Sequence, residues 1–222
     1  MVIADRAPLA TNTALPGAIA NVLRAAIVQG DLSPGEQIRQ AEWAERLGTS
    51  RIPVREALIA LERAGWVTIE LHRGAFVSVL DEQAVRDHYE LFGIVYALAA
   101  RRAVARGPDG WLDALADIAA SLAATEDPNR FQELEVAFNA TVTGAARSPR
   151  IHVALRALSG IVAGNLFELV PAAMEVEREG LCSIAVALRD GDGDGAGDGY
   201  ETMMCRQADN VVDVLRGRGV LR

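Results

Sequence analysis

Residues 50 to 58 read Ser-Arg-Ile-Pro-Val-Arg-Glu-Ala-Leu, the start of a helix built to meet a phosphate backbone. Ser50 is placed to cap the helix, and Pro53 falls in its first turn, where a missing N–H costs little. Val54, Leu58 and Leu61 recur at i, i+4, i+7 and form one buried stripe. Arg51 and Arg55 lie four apart on another face, near the positive helix N-terminus. A helix whose first turns carry arginines outward and aliphatics inward suits the major groove of DNA.

The flanking segments complete a fold. Residues 40 to 47 predict a short helix with Trp43, Ala44 and Leu47 inward, and Gly48-Thr49 turns it into the Ser50 helix. Upstream, Ala18 to Gln29 predicts a helix with Ile19, Val22, Leu23, Ala26 and Ile27 inward. It stops at Gly30, and Ser33-Pro34-Gly35 forms a turn. Downstream, Trp66 to Ile69 and Ala75 to Val79 are β-prone runs around a tip of Glu70-Leu71-His72-Arg73-Gly74. Helix, helix-turn-helix and hairpin together make a winged helix. Its expected DNA contacts are Arg39, Ser50, Arg51, Ile52 and Arg55, with His72, Arg73 and Gly74 at the wing. Glu56 is expected to orient one of the arginines.

From residue 82 onward the pattern is helical throughout. Val85, Tyr89, Phe92, Val95, Tyr96 and Ala99 stripe a first helix over 82–106, broken by Gly107-Pro108. Further helices are expected from Asp109 to about Thr125, over 128–146, from Ser148-Pro149 to about 169, from Pro171 to about Asp190, and over 200–216. The expected fold class is mainly α: an N-terminal winged helix-turn-helix and a C-terminal all-α bundle of six helices. The domain division is a flexible arm over 1–14, a DNA-binding domain over 15–80 and a helical effector-binding and dimerisation domain over 81–222.

The order and spacing of these elements resemble the GntR family of bacterial transcription regulators. The matching pieces are Leu23-Arg24, Ile27, Gly30, Leu32 and Pro34-Gly35; then Ala44, Leu47-Gly48 and Ser50-Arg51-x-Pro53-Val54-Arg55-Glu56-Ala57-Leu58; then Gly65-Trp66-Val67, Arg73-Gly74 and Val77. Behind such a domain the bundle resembles the ligand-sensing C-terminal domain of the FadR subfamily, in its six-helix, VanR-like branch. The resemblance implies a homodimer that binds a palindromic operator in double-stranded DNA and represses transcription in response to a small molecule. Many relatives hold a divalent metal with one Asp and three His. The corresponding positions here are Glu135, Asn139, Leu181 and Gln207, and an arginine that captures carboxylate effectors falls at Phe92. Leu is no ligand, and amides are poor substitutes for imidazole in a transition-metal site. The expectation is therefore no metal, no cofactor and an effector that is neutral, apolar or cationic, in a mostly apolar cavity with one acid. The alternative is a degenerate, effector-free bundle.

Charge is distributed to match. The chain of 222 residues carries a formal net charge of −8. Its first 80 residues hold eight Arg against eight acids, so the acidic excess belongs to the rest. Every fixed cation is Arg, and there is no Lys. A neutral DNA-binding half with a focused arginine face favours selective over non-specific binding. No apolar run is long enough to span a membrane, and no signal-peptide core opens the chain, so a cytoplasmic location is expected. Cys182 and Cys205 are expected as free thiols. His72 is the one histidine expected near DNA; His88 and His152 are expected in packing or at the surface.

Asp190 to Glu201 matches the EF-hand calcium pattern, with acids at places 1, 3, 5, 9 and 12 and Gly at place 6. The competing reading is a Gly-Asp linker between antiparallel helices. No nucleophile elbow, phosphate-binding glycine loop, zinc-protease helix or paired-cysteine motif is present, so an enzyme is not expected.

Overall fold

The computed structural model describes residues 15–79, 81–158 and 166–221. The expected arm over 1–14 lies outside them. The described residues form two compact units, one of residues 15–79 with 218–221 and one of residues 81–158 with 166–217.

The first unit is a winged helix. Its elements are α1 (Leu15–Gln29), β1 (Gln37–Ile38), α2 (Gln40–Arg46), α3 (Arg51–Arg63), β2 (Val67–Glu70) and β3 (Gly74–Val77). The apolar stripes meet as their spacing requires. Ile19, Leu23 and Ile27 of α1, Trp43 of α2, and Val54, Leu58 and Leu61 of α3 are buried with Trp66 and Val67. Leu47 is only half-buried. Ser50 holds the N-cap position with extended backbone, but its side chain makes no capping bond. The sheet has three strands in the order β1-β3-β2, all antiparallel, with Val67 opposite Val77 and Glu70 opposite Gly74. The two-residue β1 is too short to leave a periodic signal. It follows the Ser33-Pro34-Gly35 turn and adds Ile38 to the core. The end of the chain joins this unit: the Arg218 guanidinium donates to the Val28 carbonyl at 3.0 Å, and Val220 is buried.

The second unit is all helical: α4 (Glu82–Arg106), α5 (Trp111–Ala124), α6 (Pro128–Ala145), α7 (Pro149–Leu158), α8 (Leu166–Leu169), α9 (Pro171–Arg189) and α10 (Gly193–Gly217). Caps mark several of the starts. Asp81 accepts from Gln83 N–H, and Asp127 accepts from Asn129 and Arg130 N–H with Pro128 in the first turn. Of the helix expected from Ser148-Pro149 to about 169, α7 and four-residue α8 are described, and the residues between them lie outside the described ones.

The larger correction concerns Asp190 to Glu201. Neither a calcium loop nor a linker forms, because α10 begins at Gly193 rather than near 200. Asp192 caps it, its carboxylate accepting from Gly195 N–H at 2.8 Å. Asp194, Asp198 and Glu201 then fall at i, i+4, i+7 on one helical face. All three meet the Arg101 guanidinium of α4, at 2.9, 3.4 and 3.8 Å. Three of the five would-be calcium ligands are therefore turned to one arginine on a neighbouring helix.

The glycines explain why this segment is helical. A Cβ on Gly193 would lie 3.2 Å from Arg101 Cα, and one on Gly197 would lie 3.0 Å from the Arg101 guanidinium. Opposite them, a Cβ on Gly93 of α4 would lie 3.1 Å from Glu201 Cα. Helices α4 and α10 run antiparallel in close contact, and Glu82, Arg86, Asp209 and Arg216 pair across their other ends. The helix-propensity cost of a glycine, about 1 kcal/mol, is offset at Gly93 and Gly193 by backbone packing that a side chain would push apart.

Gly93→Val is expected to lower the unfolding free energy by about 1–3 kcal/mol through overpacking. Gly144→Ala, with nothing within 4 Å of the new Cβ, should be neutral or stabilising by up to about 1 kcal/mol. Urea denaturation measures both. Equal stability of the two variants would contradict the close α4–α10 seam.

Candidate nucleic-acid interface and interior polar site

Helix α3 presents Arg51, Ile52 and Arg55 to solvent from its first two turns, with Ser50 exposed just before it. Ile52 is 64% exposed between the two arginines. Neither Arg51 nor Arg55 has an ion pair among the described residues. Glu56 bonds neither of them, so the expected orienting role is not seen. Arg39, at the start of α2, is exposed and pairs with Glu42 at 2.9 Å.

The wing tip is built from strained backbone. His72 sits at φ 62° and Gly74 at φ 108°. A Cβ on Gly74 would lie 3.0 Å from Gln37 Nε2, which itself donates to the Arg73 carbonyl at 2.7 Å. Glycine is required by both the backbone angle and the space. The exposed His72 and Arg73 side chains stand at the turn, with Arg73 paired to Glu70 and stacked over Phe76 at 5.5 Å.

In the bundle, the five residues singled out by their family positions line one interior. Asn139 is buried and donates to the Glu135 carboxylate one turn earlier on α6. Its carbonyl accepts from the Tyr200 hydroxyl of α10 at 2.9 Å. Tyr200 stacks on Tyr96 at 5.1 Å, and Tyr96 meets Phe92 at 5.7 Å along α4. Gln207 donates to the Ala173 carbonyl at 2.8 Å and to Glu177 Oε2 at 2.6 Å. Leu181 is fully buried one turn beyond Glu177 on α9.

Glu177 was not foreseen, and it changes the character of the site from one acid to two. It is 4% exposed. The signal was present: Ala173, Glu177, Leu181, Ile184 and Leu188 form the buried stripe of α9, with an acid at a core position. Burial pushes both carboxyls well above the usual carboxylate range; for Glu177 the Glu135 charge adds to it, and in each case an amide bond opposes it. The same two acids oppose ionisation of Tyr89, Tyr96 and Tyr200, all raised first by burial. His88, its ring tilted against Phe92 at 4.9 Å, is lowered to about 4 by burial and is neutral at pH 7. Among the described residues, no group of three or more His, Cys, Asp or Glu is placed to hold a metal, and no helix is long and apolar enough to cross a membrane. Cys182 is half-buried and Cys205 exposed, both as free thiols.

Comparison with known proteins covers both units. Residues 15–77 match the bacterial regulatory proteins of the gntR family, and residues 87–204 match the FCD domain. An uncharacterized HTH-type transcriptional regulator of Mycobacterium tuberculosis is 32% identical over 136 residues, which cover 61% of this chain and 56% of that protein. The HTH-type transcriptional repressor RspR of Escherichia coli is 34% identical over 85 residues, 38% of this chain and 37% of its own. The chain thus matches about half or less of the length of these curated relatives. Among solved structures, E. coli McbR/YncC has a TM-score of 0.61 at 22% identity, over 91% of this chain and 99% of that one. At that identity the likeness is one of fold.

The two interior acids make stability depend on pH. A carboxyl whose folded pKa exceeds its unfolded value binds its proton more tightly when folded. That stabilisation is complete below the unfolded value and is lost as pH rises through the folded one, here from about 4.5 to about 8. Glu177→Gln is therefore expected to gain on the wild type as pH rises, by on the order of 1–4 kcal/mol at pH 8.5. Denaturation curves at pH 5, 7 and 8.5 check this, and a constant difference across that range would contradict it.

Proposed function

The chain belongs to the GntR family of bacterial regulatory proteins, with an FCD domain behind its winged helix, and from that premise we propose that it is a sequence-selective DNA-binding regulator of transcription. Residues 15–80 form the reading module, and residues 81–222 carry dimerisation and effector sensing. The observation that carries this reading is the pair of unpartnered guanidiniums, Arg51 and Arg55, beside exposed Ile52 on the first turns of α3. Exposed arginines with no internal partner are free to take guanine edges or phosphates. Arg39 and Ser50 flank them, and His72, Arg73 and Gly74 give the wing a close approach to the adjacent minor groove or its phosphates.

A homodimer fits this use, because a symmetric pair of recognition helices reads a palindromic operator. It is supported by an apolar stripe on α4: Leu91, Ile94 and Leu98 are 49%, 47% and 40% exposed and lie within one face. Repression is the expected direction, in line with the name of the RspR relative. The effector is a small molecule without an anionic group, taken into the interior lined by Phe92, Glu135, Asn139, Leu181 and Gln207. Coupling of roughly 1–3 kcal/mol between that site and the operator would change affinity 5–150-fold. The protein acts in the cytoplasm and needs no catalytic group or cofactor for this role.

Arg55→Ala is expected to weaken operator binding by about 1–3 kcal/mol while leaving the circular dichroism unchanged. Gel shifts measure this, and wild-type affinity in both Arg51→Ala and Arg55→Ala would remove α3 from the interface. Gly74→Val should weaken binding and lose footprint protection at the flanks of the site. Unaltered flanking protection would take the wing off the DNA.

A further inference from the structure

The interior of the bundle holds two carboxyl groups, Glu135 and Glu177, and among the described residues no cation is placed against them. Glu135 comes from α6 and Glu177 from α9, and each accepts one amide hydrogen bond, from Asn139 and Gln207 respectively. A carboxylate can accept several, so both keep open acceptor capacity. No ion pair reaches either among the described residues, and the chain has no lysine. Among the described residues, the titratable groups that bear on them are neutral phenols: Tyr89 and Tyr96 from α4 and Tyr200 from α10. Buried acids are ordinarily paired with a cation or kept protonated.

A second feature points the same way. Tyr89 is 7% exposed, and its hydroxyl has no hydrogen-bond partner among the described residues. Burial first, and then the charges of Glu177 and Glu135, oppose its ionisation, so it lies near both acids. The hydroxyl is not among the fully buried polar atoms left without a partner, so it keeps some accessible surface and is open to a ligand. Glu135 keeps some accessible surface although its carboxyl is surrounded by protein. The stacked Tyr96–Tyr200 pair and Phe92 supply aromatic faces, which attract cations and exclude anions.

We infer that this interior is a binding site for a small organic ammonium ion, with Glu135 and Glu177 as its charge partners, the Tyr89 hydroxyl as an acceptor and the Phe92–Tyr96–Tyr200 rings as its apolar wall. The inference rests on the reading of the bundle as an effector-sensing module and names the class of effector. An alkylammonium presents several N–H donors on a hydrocarbon stem, which matches acids beside rings. A carboxylate ligand would meet two like charges. A hard divalent ion would need more oxygen ligands than two carboxylates held by amides supply.

Calorimetry on the full chain, with butylammonium, 1,4-diaminobutane and tetramethylammonium against butyrate and succinate, tests the site. Saturable binding of at least one amine near one per chain is expected, tightening at least tenfold from pH 6 to pH 8.5 as the acids ionise. Glu177→Gln and Glu135→Gln should each weaken it at least tenfold, while the free Glu177→Gln protein melts higher than wild type at pH 8.5, which shows that it folds. Absence of saturable heat with every amine, unchanged amine affinity in both variants, preference for a carboxylate, or tight binding of zinc, magnesium or calcium alone would overturn the proposal. A gel shift on the same preparation separates the two readings. Amine binding without DNA binding would sink the regulator and keep the site; DNA binding without amine binding would do the reverse.

Discussion

The helical unit depends on how closely α10 lies against α4. Glycines at 193 and 197 on one helix and at 93 on the other remove the side chains that would hold the backbones apart. Arg101 then reaches across to Asp194, Asp198 and Glu201. These ion pairs are largely exposed and individually weak. Their position matters more than their strength, because the seam sets the register that stacks Tyr200 on Tyr96 and brings its hydroxyl to Asn139. The same helix delivers Gln207 to Glu177. A shift of α10 along α4 would disturb both hydrogen-bonded acids together.

Within the winged unit the constraint is different. Aliphatic stripes at helical spacing fix which side of α3 is buried, and the arginines are left outside by default. That division needs only local sequence and one core, and the helices and the wing are legible for that reason. Val54, Leu58 and Leu61 bury where their spacing requires, and the wing falls between its two β-prone runs. What escaped was β1, whose two residues carry no period. Its pairing with β3 is a tertiary event.

The bundle was legible in class and less so in detail. Asp190 to Glu201 looked like a loop because five glycines in that run oppose a helix by propensity. Tertiary packing overrides that preference, and no local signal announces a partner helix more than ninety residues away. Family positions brought Phe92, Glu135, Asn139, Leu181 and Gln207 to one interior, yet Glu177 was passed over. An acid inside an apolar stripe reads as a surface residue until the stripe is seen to be buried. Its presence turns a mostly apolar pocket with one acid into a site with two.

The central claim is that α3 and the wing read a defined DNA sequence as a symmetric pair. Selection of binding sites from a random double-stranded library by the full chain tests it most directly. The account predicts enrichment of one palindrome with half-sites about one helical turn apart, and loss of that enrichment in the Arg51→Ala, Arg55→Ala double variant. A library that stays random through repeated rounds, or the same motif selected by the double variant, would contradict it.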